Sequence, residues 1–350
     1  MANPDDHEDG SDFSTISQDS EPPIHAFGHT YHGSGRIMQP NDESSARLMA
    51  LFDELYKLCL NGRLTDSKLR IERSGGLGDH SSNGDRRPSS GRPDTASSSA
   101  TTQPHHLHDE CPLPFKVLDI GSGSGLWAVD MAQTYPNAEI LGIDLTSALL
   151  PKDVPPNLTF EIADVAEPWG PDMYDLIHSR NPIGGGITDW PALVTQAWNH
   201  LRPGGQIEFT SMQPKFYGRG SSDTDFPPEG SGETPEIGTA CREFELAYRA
   251  MWEAQGVEFD PLSRVALLLT RLGAESVRER GDWLPVKSWG GDPITVRKGE
   301  LAEEIIDVGL DQWALMIFVK CGWSEEDTRD LLRRVKEEIK DPALKTMFRL

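Results

Sequence analysis

Basic residues and cysteines are scarce in this sequence, and long apolar runs are absent. The 350 residues include 33 Lys or Arg against 56 Asp or Glu, which gives a formal net charge of −23. Such a chain repels polyphosphates, so we expect no direct binding to nucleic acid. The longest apolar run, around residues 313–319, is far shorter than the roughly 20 residues that cross a bilayer. We therefore expect no integral membrane segment, and the acidic first residues predict no signal peptide.

The few thiols argue against a disulfide framework. They are far apart and form no Cys-x-x-Cys pair: Cys59, Cys111, Cys241 and Cys321. This spacing does not match a zinc knuckle either. His105, His106 and His108 lie in a polar stretch, where we expect no metal site. Reduced thiols are typical of a nuclear or cytosolic protein, and we expect this protein in the nucleus and cytoplasm.

Composition divides the chain into four segments. Residues 1–26 are acidic and contain no Lys or Arg, which predicts a disordered tail. Residues 27–63 carry apolar residues at helical spacing after a possible cap at Asn41 or Asp42, which predicts an N-terminal helical cap. Residues 64–113 are rich in Ser, Gly and Pro, as in a disordered insertion or linker. The folded domain is predicted over residues 114–350.

The stretch at residues 117–127 organises this domain. An apolar burst predicts a buried parallel strand, and it ends in a glycine-rich turn that leads into a helical pattern. A second apolar strand follows and ends at Asp144. A carboxylate that leaves a second parallel strand is well placed to accept hydrogen bonds from a ribose diol. The pattern therefore predicts a nucleoside-binding βαβ unit.

The glycine spacing and one carboxylate bear on which nucleoside binds. Gly121, Gly123 and Gly125 form G-x-G-x-G, and Asp119 precedes them. The dinucleotide fingerprint is G-x-G-x-x-G and directs a helix N-terminus at a pyrophosphate. A negative charge before the loop opposes a pyrophosphate and suits a cationic ligand. S-adenosylmethionine (SAM) carries an ammonium and a sulfonium and no phosphate, so SAM is favoured over NAD, the cofactor of the rival dehydrogenase hypothesis.

Residues 117–146 resemble motif I and its continuation in class I (Rossmann-like) SAM-dependent methyltransferases. More narrowly, the chain is similar to fungal methyltransferases of the LaeA/UMTA type, which regulate development and secondary metabolism. The resemblance covers roughly residues 31–60 and 115–342. The matching segments, in chain order, include Asp119-Ile-Gly-Ser-Gly-Ser-Gly-Leu-Trp127, Tyr135-Pro136, Gly142-Ile-Asp-Leu145, Glu167-Pro-Trp169, Asp175-Leu-Ile-His-Ser-Arg180, Asp189-Trp-Pro191 and Leu201-Arg-Pro-Gly-Gly205.

The resemblance implies a fold, a cofactor and a set of contacts. The fold is α/β: a Rossmann-like, mostly parallel central sheet with helices on both faces, plus extra N- and C-terminal helices. The cofactor is SAM. Asp164 is implied as the acceptor for the adenine amino group, with Val165 supplying a backbone N–H and an apolar contact. The full set of implied SAM contacts is Asp119, Gly121, Ser122, Gly123, Gly125, Asp144, Leu145, Asp164, Val165 and Ser179.

Several elements outside the glycine motif are also predicted. We expect a sixth strand near residues 274–283 and no evident seventh, followed by helices at 300–321 and 324–340. The loop at residues 213–234 is a candidate lid over the acceptor. For Tyr31 and the turn at Pro40 two interpretations stay open: packing on the sheet, or covering the cofactor or acceptor.

The sequence leaves catalysis and the acceptor open. His178 could serve as a base. Arg180 could bind the cofactor carboxylate or an acceptor, or pair with Asp175 or Asp189, so no catalytic residue is assigned. Three functions compete: a regulatory methyltransferase that acts on a protein within a complex, a small-molecule methyltransferase of natural-product biosynthesis, and a SAM-binding subunit with little activity of its own. The family resemblance, the acidic tail and the long insertion favour the first, with a protein partner subunit.

Overall fold

The computed structural model describes residues 22–69, 71, 114–218, 237–287 and 291–350. Most of the predicted acidic tail, most of the insertion with its histidine cluster, and most of the 213–234 loop lie outside these residues. The elements in chain order are β1 (Ile24–Ala26), β2 (His29–Tyr31), α1 (Glu43–Cys59), β3 (Phe115–Ile120), α2 (Leu126–Thr134), β4 (Ala138–Asp144), β5 (Leu158–Ile162), β6 (Tyr174–Arg180), α3 (Trp190–Asn199), β7 (Leu201–Thr210), α4 (Thr239–Ala254), α5 (Leu262–Leu272), β8 (Trp283–Pro285), α6 (Pro293–Lys320), α7 (Glu325–Glu338) and β9 (Met347–Arg349).

Five parallel strands form the central sheet, in the order β5-β4-β3-β6-β7. The predicted Rossmann-like α/β class is confirmed. Asp119 of β3 lies beside Gly142 of β4 and His178 of β6, and His178 lies beside Glu208 of β7. Because the strands are parallel, their carboxyl ends meet at one edge of the sheet, where such folds bind ligands.

The two faces of the sheet are covered by different helices. Val117 and Leu176 pack with Trp127 and Met131 of α2. Their neighbours along the strands point the other way, and this second face packs against α3 and α5. This alternation follows from the period of two in a strand. It also places Asp119 and His178 on the face covered by α2.

A second apolar core lies outside the sheet and contains the predicted extra helices. Buried residues of α1, α4, α6 and α7 pack together there. The long helix α6 runs through its centre and contacts α1, α4 and α7. Ser45 of α1 donates a buried hydrogen bond to Gln312 of α6 at 3.1 Å, so the N-terminal helix is fixed to the C-terminal helices. Within the described part of the chain, none of the helices has the length and apolar character needed to cross a membrane.

The sixth strand predicted near residues 274–283 is wrong. This stretch carries no strand until β8, which pairs antiparallel with β9 and stands apart from the central sheet. Charged residues dominate the sequence between α5 and β8, so the stretch lacks the apolar alternation of a half-buried strand. The Pro-Gly-Gly segment lies within β7, which starts at Leu201.

Two predicted segment boundaries are displaced. Ile24–Ala26 pairs with His29–Tyr31, although the tail was predicted to run to residue 26. Leu64 and Thr65 are buried, although the insertion was predicted to begin at 64. The reason is a polar anchor: Thr65 and Ser67 donate hydrogen bonds to Glu208 of β7, which composition alone does not reveal.

Candidate active site

A cavity of about 300 Å³ opens at the carboxyl ends of β3, β4 and β6. One wall consists of the loop from Gly121 to Ser124 and the ends of these strands. The opposite wall consists of α1, α4 and α6 together with the turn around Pro40. The cavity therefore lies between the parallel sheet and the second apolar core.

The loop after β3 is a tight turn that only glycine accommodates. Gly121 and Ser122 donate their backbone N–H groups to the carbonyl of Ile143, at 2.9 and 3.0 Å, which ties the loop to β4. Gly125 has a φ of +71°, and a Cβ there would approach the Phe160 ring to 2.7 Å. The missing Cβ atoms let the backbone pack closely and leave the loop open to a ligand.

Asp144 stands at the end of β4 with its carboxylate oriented by the backbone. One oxygen accepts the N–H of Gly123 at 2.8 Å, and the other accepts the N–H of Thr146 at 3.1 Å. Burial raises the pKa of Asp144 against the lowering effect of these hydrogen bonds. Asp144 and Leu145 both line the cavity, as the interpretation of Asp144 as a ribose acceptor requires.

Asp119 and His178 form a buried pair beneath the glycine loop. His178 Nδ1 lies 2.8 Å from Asp119 Oδ1, and its ring stacks on Trp127 with centroids 3.5 Å apart and planes within 7°. Burial lowers the pKa of His178, although Asp119 opposes that shift. The carboxylate can only accept, so the neutral ring carries its hydrogen on Nδ1. Its Nε2 is buried and has no hydrogen-bond partner among the described residues.

Arg180 has neither of the partners considered for it from the sequence. Its guanidinium donates to the carbonyl of Leu64 at 2.7 Å and to Asp53 at 3.4 Å, and it lies 4.7 Å above the ring of Tyr56. Asp175 instead pairs with Arg202, and Asp189 caps α3. Arg180 thus joins the sheet to α1 at the cavity wall.

Three of the predicted contact residues lie off the cavity wall. The carboxylate of Asp164 pairs with Arg36 at 2.5 Å. Ser179 is fully buried on the opposite face of the sheet and donates to the carbonyl of Ile120 at 2.8 Å. Gly125 does not line the cavity, and its positive φ shapes the loop instead. The cavity wall brings together the other seven: Asp119, Gly121, Ser122, Gly123, Asp144, Leu145 and Val165.

The sequence interpretation missed the contribution of α1 and the C-terminal helices. Phe52 and Tyr56 of α1 and Trp313 of α6 line the cavity. Their helical spacing indicates only a buried face, so periodicity could not separate core from ligand wall. Of the two features left open near the N-terminus, the turn at Pro40 lines the cavity, whereas Tyr31 is buried elsewhere.

Comparison with known proteins gives consistent matches. A family described as a methyltransferase domain matches residues 117–205. Methyltransferase pytC of Aspergillus terreus is 32% identical over 227 residues, which are 63% of this chain and 65% of pytC, so the chain spans slightly less than two thirds of that relative. Secondary metabolism regulator LAE1 of Cochliobolus heterostrophus is 30% identical over 274 residues, 76% of this chain and 72% of LAE1.

A solved structure also overlaps part of the chain. Phosphoethanolamine N-methyltransferase 2 of Haemonchus contortus, in complex with SAM, is 17% identical with a TM-score of 0.37. The match covers 67% of this chain and 48% of that chain.

Proposed function

The chain belongs to the LaeA-type class I SAM-dependent methyltransferases, and from this premise we propose that it transfers the methyl group of SAM to an acceptor bound in the cavity. The observation that carries the proposal is the position of Asp144. Its carboxylate is held by two backbone N–H groups at the end of β4, directly beside the glycine loop. A carboxylate in this place can accept hydrogen bonds from a ribose diol.

The residues around Asp144 fit SAM. Leu145 and Val165 offer apolar contacts beside the loop, and Asp119 adds a negative charge to the wall. The described residues that line the cavity include one Arg, Arg180, and no Lys, and Arg180 is already paired with Asp53. The wall therefore suits a cationic ligand better than a pyrophosphate.

Bound SAM supplies a methyl group activated by its sulfonium. Methyl transfer from a sulfonium is an in-line displacement that needs little covalent assistance. The chain therefore contributes mainly by holding the acceptor against the methyl group in an apolar site. Neutral His178 has an acceptor nitrogen near the loop and Asp119 holds its orientation. The apolar helices opposite the loop present few polar groups that could hold water at the reacting atoms.

We further propose a regulatory role in secondary metabolism and development, with a protein acceptor and a partner subunit, in the nucleus and cytoplasm. The similarity to LAE1, which is named as a secondary metabolism regulator, supports this role. The net charge of −23 favours a basic partner. Purification of a tagged chain from its own cells, with metabolite profiling of a deletion strain, tests the role. Purification of the chain without a partner protein, together with an unchanged metabolite profile, would contradict this role.

A second candidate function is methylation of a small molecule. It is favoured by the aromatic side chains that line the cavity away from the glycine loop. The similarity to pytC, which is named as a methyltransferase, is compatible with it. Under this alternative the acceptor enters the cavity whole.

Calorimetric titration with SAM and separately with NAD tests the cofactor. We expect SAM to bind the wild type and to bind Asp144→Ala about ten-fold or more weakly, because hydrogen bonds to a charged acceptor contribute about 1.5–3 kcal/mol. Glu139→Ala, an exposed substitution on the same strand, is the matched control and should leave binding unchanged. Binding of NAD in place of SAM would overturn the proposal.

A further inference from the structure

The cavity has two chemically different halves. The half beside the glycine loop carries carboxylates and backbone N–H groups. The other half, which we call the aromatic half, is defined by Phe52, Tyr56, Phe216, Phe244, Tyr248 and Trp313. The distinction matters because the first half fits the cofactor and the second remains for the methyl acceptor.

The rings of the aromatic half support one another. On the α1 side, the Phe52 ring lies 6.2 Å from Tyr56 and 6.3 Å from Trp313 of α6. On the α4 side, the Phe244 ring lies 6.0 Å from Phe216 in an edge-to-face arrangement. Rings at these separations attract each other and hold their orientation. The aromatic half is therefore a preformed wall suited to a flat apolar group.

Every carboxylate on the described wall of the cavity already has a partner. The residues concerned are Asp53, Asp119 and Asp144. Asp53 pairs with Lys57 at 2.6 Å and with Arg180, Asp119 with His178, and Asp144 with backbone N–H groups. Asp119 and Asp144 keep their charge but lie in the half that fits the cationic groups of SAM, whereas Asp53, on α1 between Phe52 and Tyr56, is balanced by Lys57 and Arg180. A protonated amine in the aromatic half would therefore have no free counter-ion there and would lie next to the sulfonium of SAM. Burial of an unpaired charge is strongly unfavourable, which disfavours lysine and arginine side chains as acceptors.

The side-chain amide of Asn181 offers a hydrogen-bond donor at the edge of this part of the cavity. Its Oδ1 accepts the hydroxyl of Tyr56 at 2.7 Å and the N–H of Met212 at 3.4 Å. Burial raises the pKa of Tyr56, so the hydroxyl stays protonated and donates. These two donors fix the amide orientation, and its Nδ2 donates to no described residue. A free N–H donor on an apolar wall matches an oxygen of the ligand.

We propose that the methyl acceptor is an uncharged aromatic small molecule with a phenolic or enolic hydroxyl. This inference rests on the proposed methyl transfer from SAM and takes up the second candidate function, a small-molecule acceptor, in place of the protein acceptor. Asn181 Nδ2 contacts an oxygen of the acceptor while the ring lies against Phe52 and Trp313. The hydroxyl oxygen forms a bond to the methyl carbon, and the electrons of the carbon–sulfur bond remain on sulfur, which leaves a neutral thioether. The hydroxyl proton passes to water.

Two naphthalenes of similar shape and one peptide test the acceptor class on the full chain, with and without saturating S-adenosylhomocysteine. They are 2-naphthol, the protonated 2-(aminomethyl)naphthalene and a lysine-containing peptide. We expect 2-naphthol to bind at least about ten-fold more tightly than either amine, because the amine buries an unpaired charge. Methyl transfer from SAM should then convert 2-naphthol to its methyl ether. Equal or tighter binding of an amine or of the peptide would overturn the inference.

Two variants locate the binding in the aromatic half. Trp313→Ala should weaken 2-naphthol about ten-fold through loss of a ring contact and leave SAM affinity unchanged. Leu246→Ala, on the exposed side of α4, is the matched control. Asn181→Asp keeps the acceptor for Tyr56 but replaces the free donor with a charge, so it should shift the preference toward the aminomethyl probe. Unchanged 2-naphthol affinity in Trp313→Ala, together with an unchanged preference in Asn181→Asp, would overturn the assignment.

The two proposals fail in different ways. A chain that does not bind SAM contradicts the proposed function, and the probes without nucleoside still decide the chemistry of the aromatic half. A chain that binds SAM and prefers the peptide contradicts the inference alone and favours the regulatory role with a protein acceptor.

Discussion

The buried pair of His178 and Asp119 predicts a specific loss of stability in acid. The perturbation is His178→Asn, because an Asn side chain places an N–H close to the position of Nδ1 and can still donate to Asp119, but it does not titrate. The variant also loses the stack on Trp127, which gives a constant offset in the free energy of unfolding. The prediction concerns only how the difference in free energy of unfolding between the two proteins changes with pH.

The sign follows from the pKa of His178, which burial lowers below its usual value of about 6.5. As pH falls below 6.5 the unfolded chain takes up a proton at this position and the folded chain does not, so the wild type loses stability. The contribution is fully present above pH 6.5, and its slope approaches about 1.4 kcal/mol per pH unit below it. His178→Asn lacks this term, so the stability advantage of the wild type should shrink as pH falls.

The assay is denaturant unfolding of both proteins, followed by tryptophan fluorescence between pH 5.5 and 8. Titration of Asp144 and of surface groups is common to both proteins and cancels in the difference. A difference that stays constant over this range would refute a lowered pKa. A difference that grows as pH falls would show that His178 is protonated in the folded state and forms an ion pair with Asp119.

Three further outcomes are expected. Arg36→Ala removes the ion pair that joins the segment before α1 to Asp164 after β5. Because Ile37 and Gln39 of that segment line the cavity, stopped-flow displacement should show faster SAM release, while stability changes by less than about 1 kcal/mol. Gly125→Ala forces a side chain to φ +71° and against Phe160, and calorimetry should show a loss of about 1–3 kcal/mol. Glu338 accepts N–H groups at the start of α4, and although burial opposes it, these bonds lower its pKa. Glu338→Gln should cost about 1 kcal/mol at neutral pH, and this difference should disappear as pH falls below about 4.5, in unfolding experiments.

The geometry of the glycine loop and of Asp144 could be predicted from the sequence because its determinants are local. A strand, a glycine turn and a helix follow one another within residues 115–134, and Asp144 ends the next strand. Parallel pairing then brings the ends of these strands together without any further information. Seven of the ten predicted contacts lie on the cavity wall for this reason.

Positions that differ from the expected arrangement occur where tertiary contacts override local pattern. Ser179 follows the exit of β6 in sequence, but the strand alternation turns it to the face opposite His178. Asp164 follows β5 as predicted, yet an ion pair with distant Arg36 occupies its carboxylate. Leu64 and Thr65 have the composition of a linker but are buried beside Glu208. None of these partners is close in sequence, so no window of residues could reveal them.

Helix α1 links the two halves of the cavity, and this explains why similarity identifies the cofactor but not the acceptor. Met49 of α1 packs over Gly123, where a Cβ would come within 2.9 Å of its sulfur, whereas Tyr56, two turns later, reaches Asn181. The matched methyltransferase domain covers residues 117–205, which include the glycine loop and Asp144 but neither α1 nor Trp313. Substitutions in the N- and C-terminal helices can therefore alter the acceptor while the cofactor residues stay unchanged. Most of the proposed acceptor site is accordingly encoded in α1, α4 and α6, outside the matched domain, whereas Asn181 lies within it.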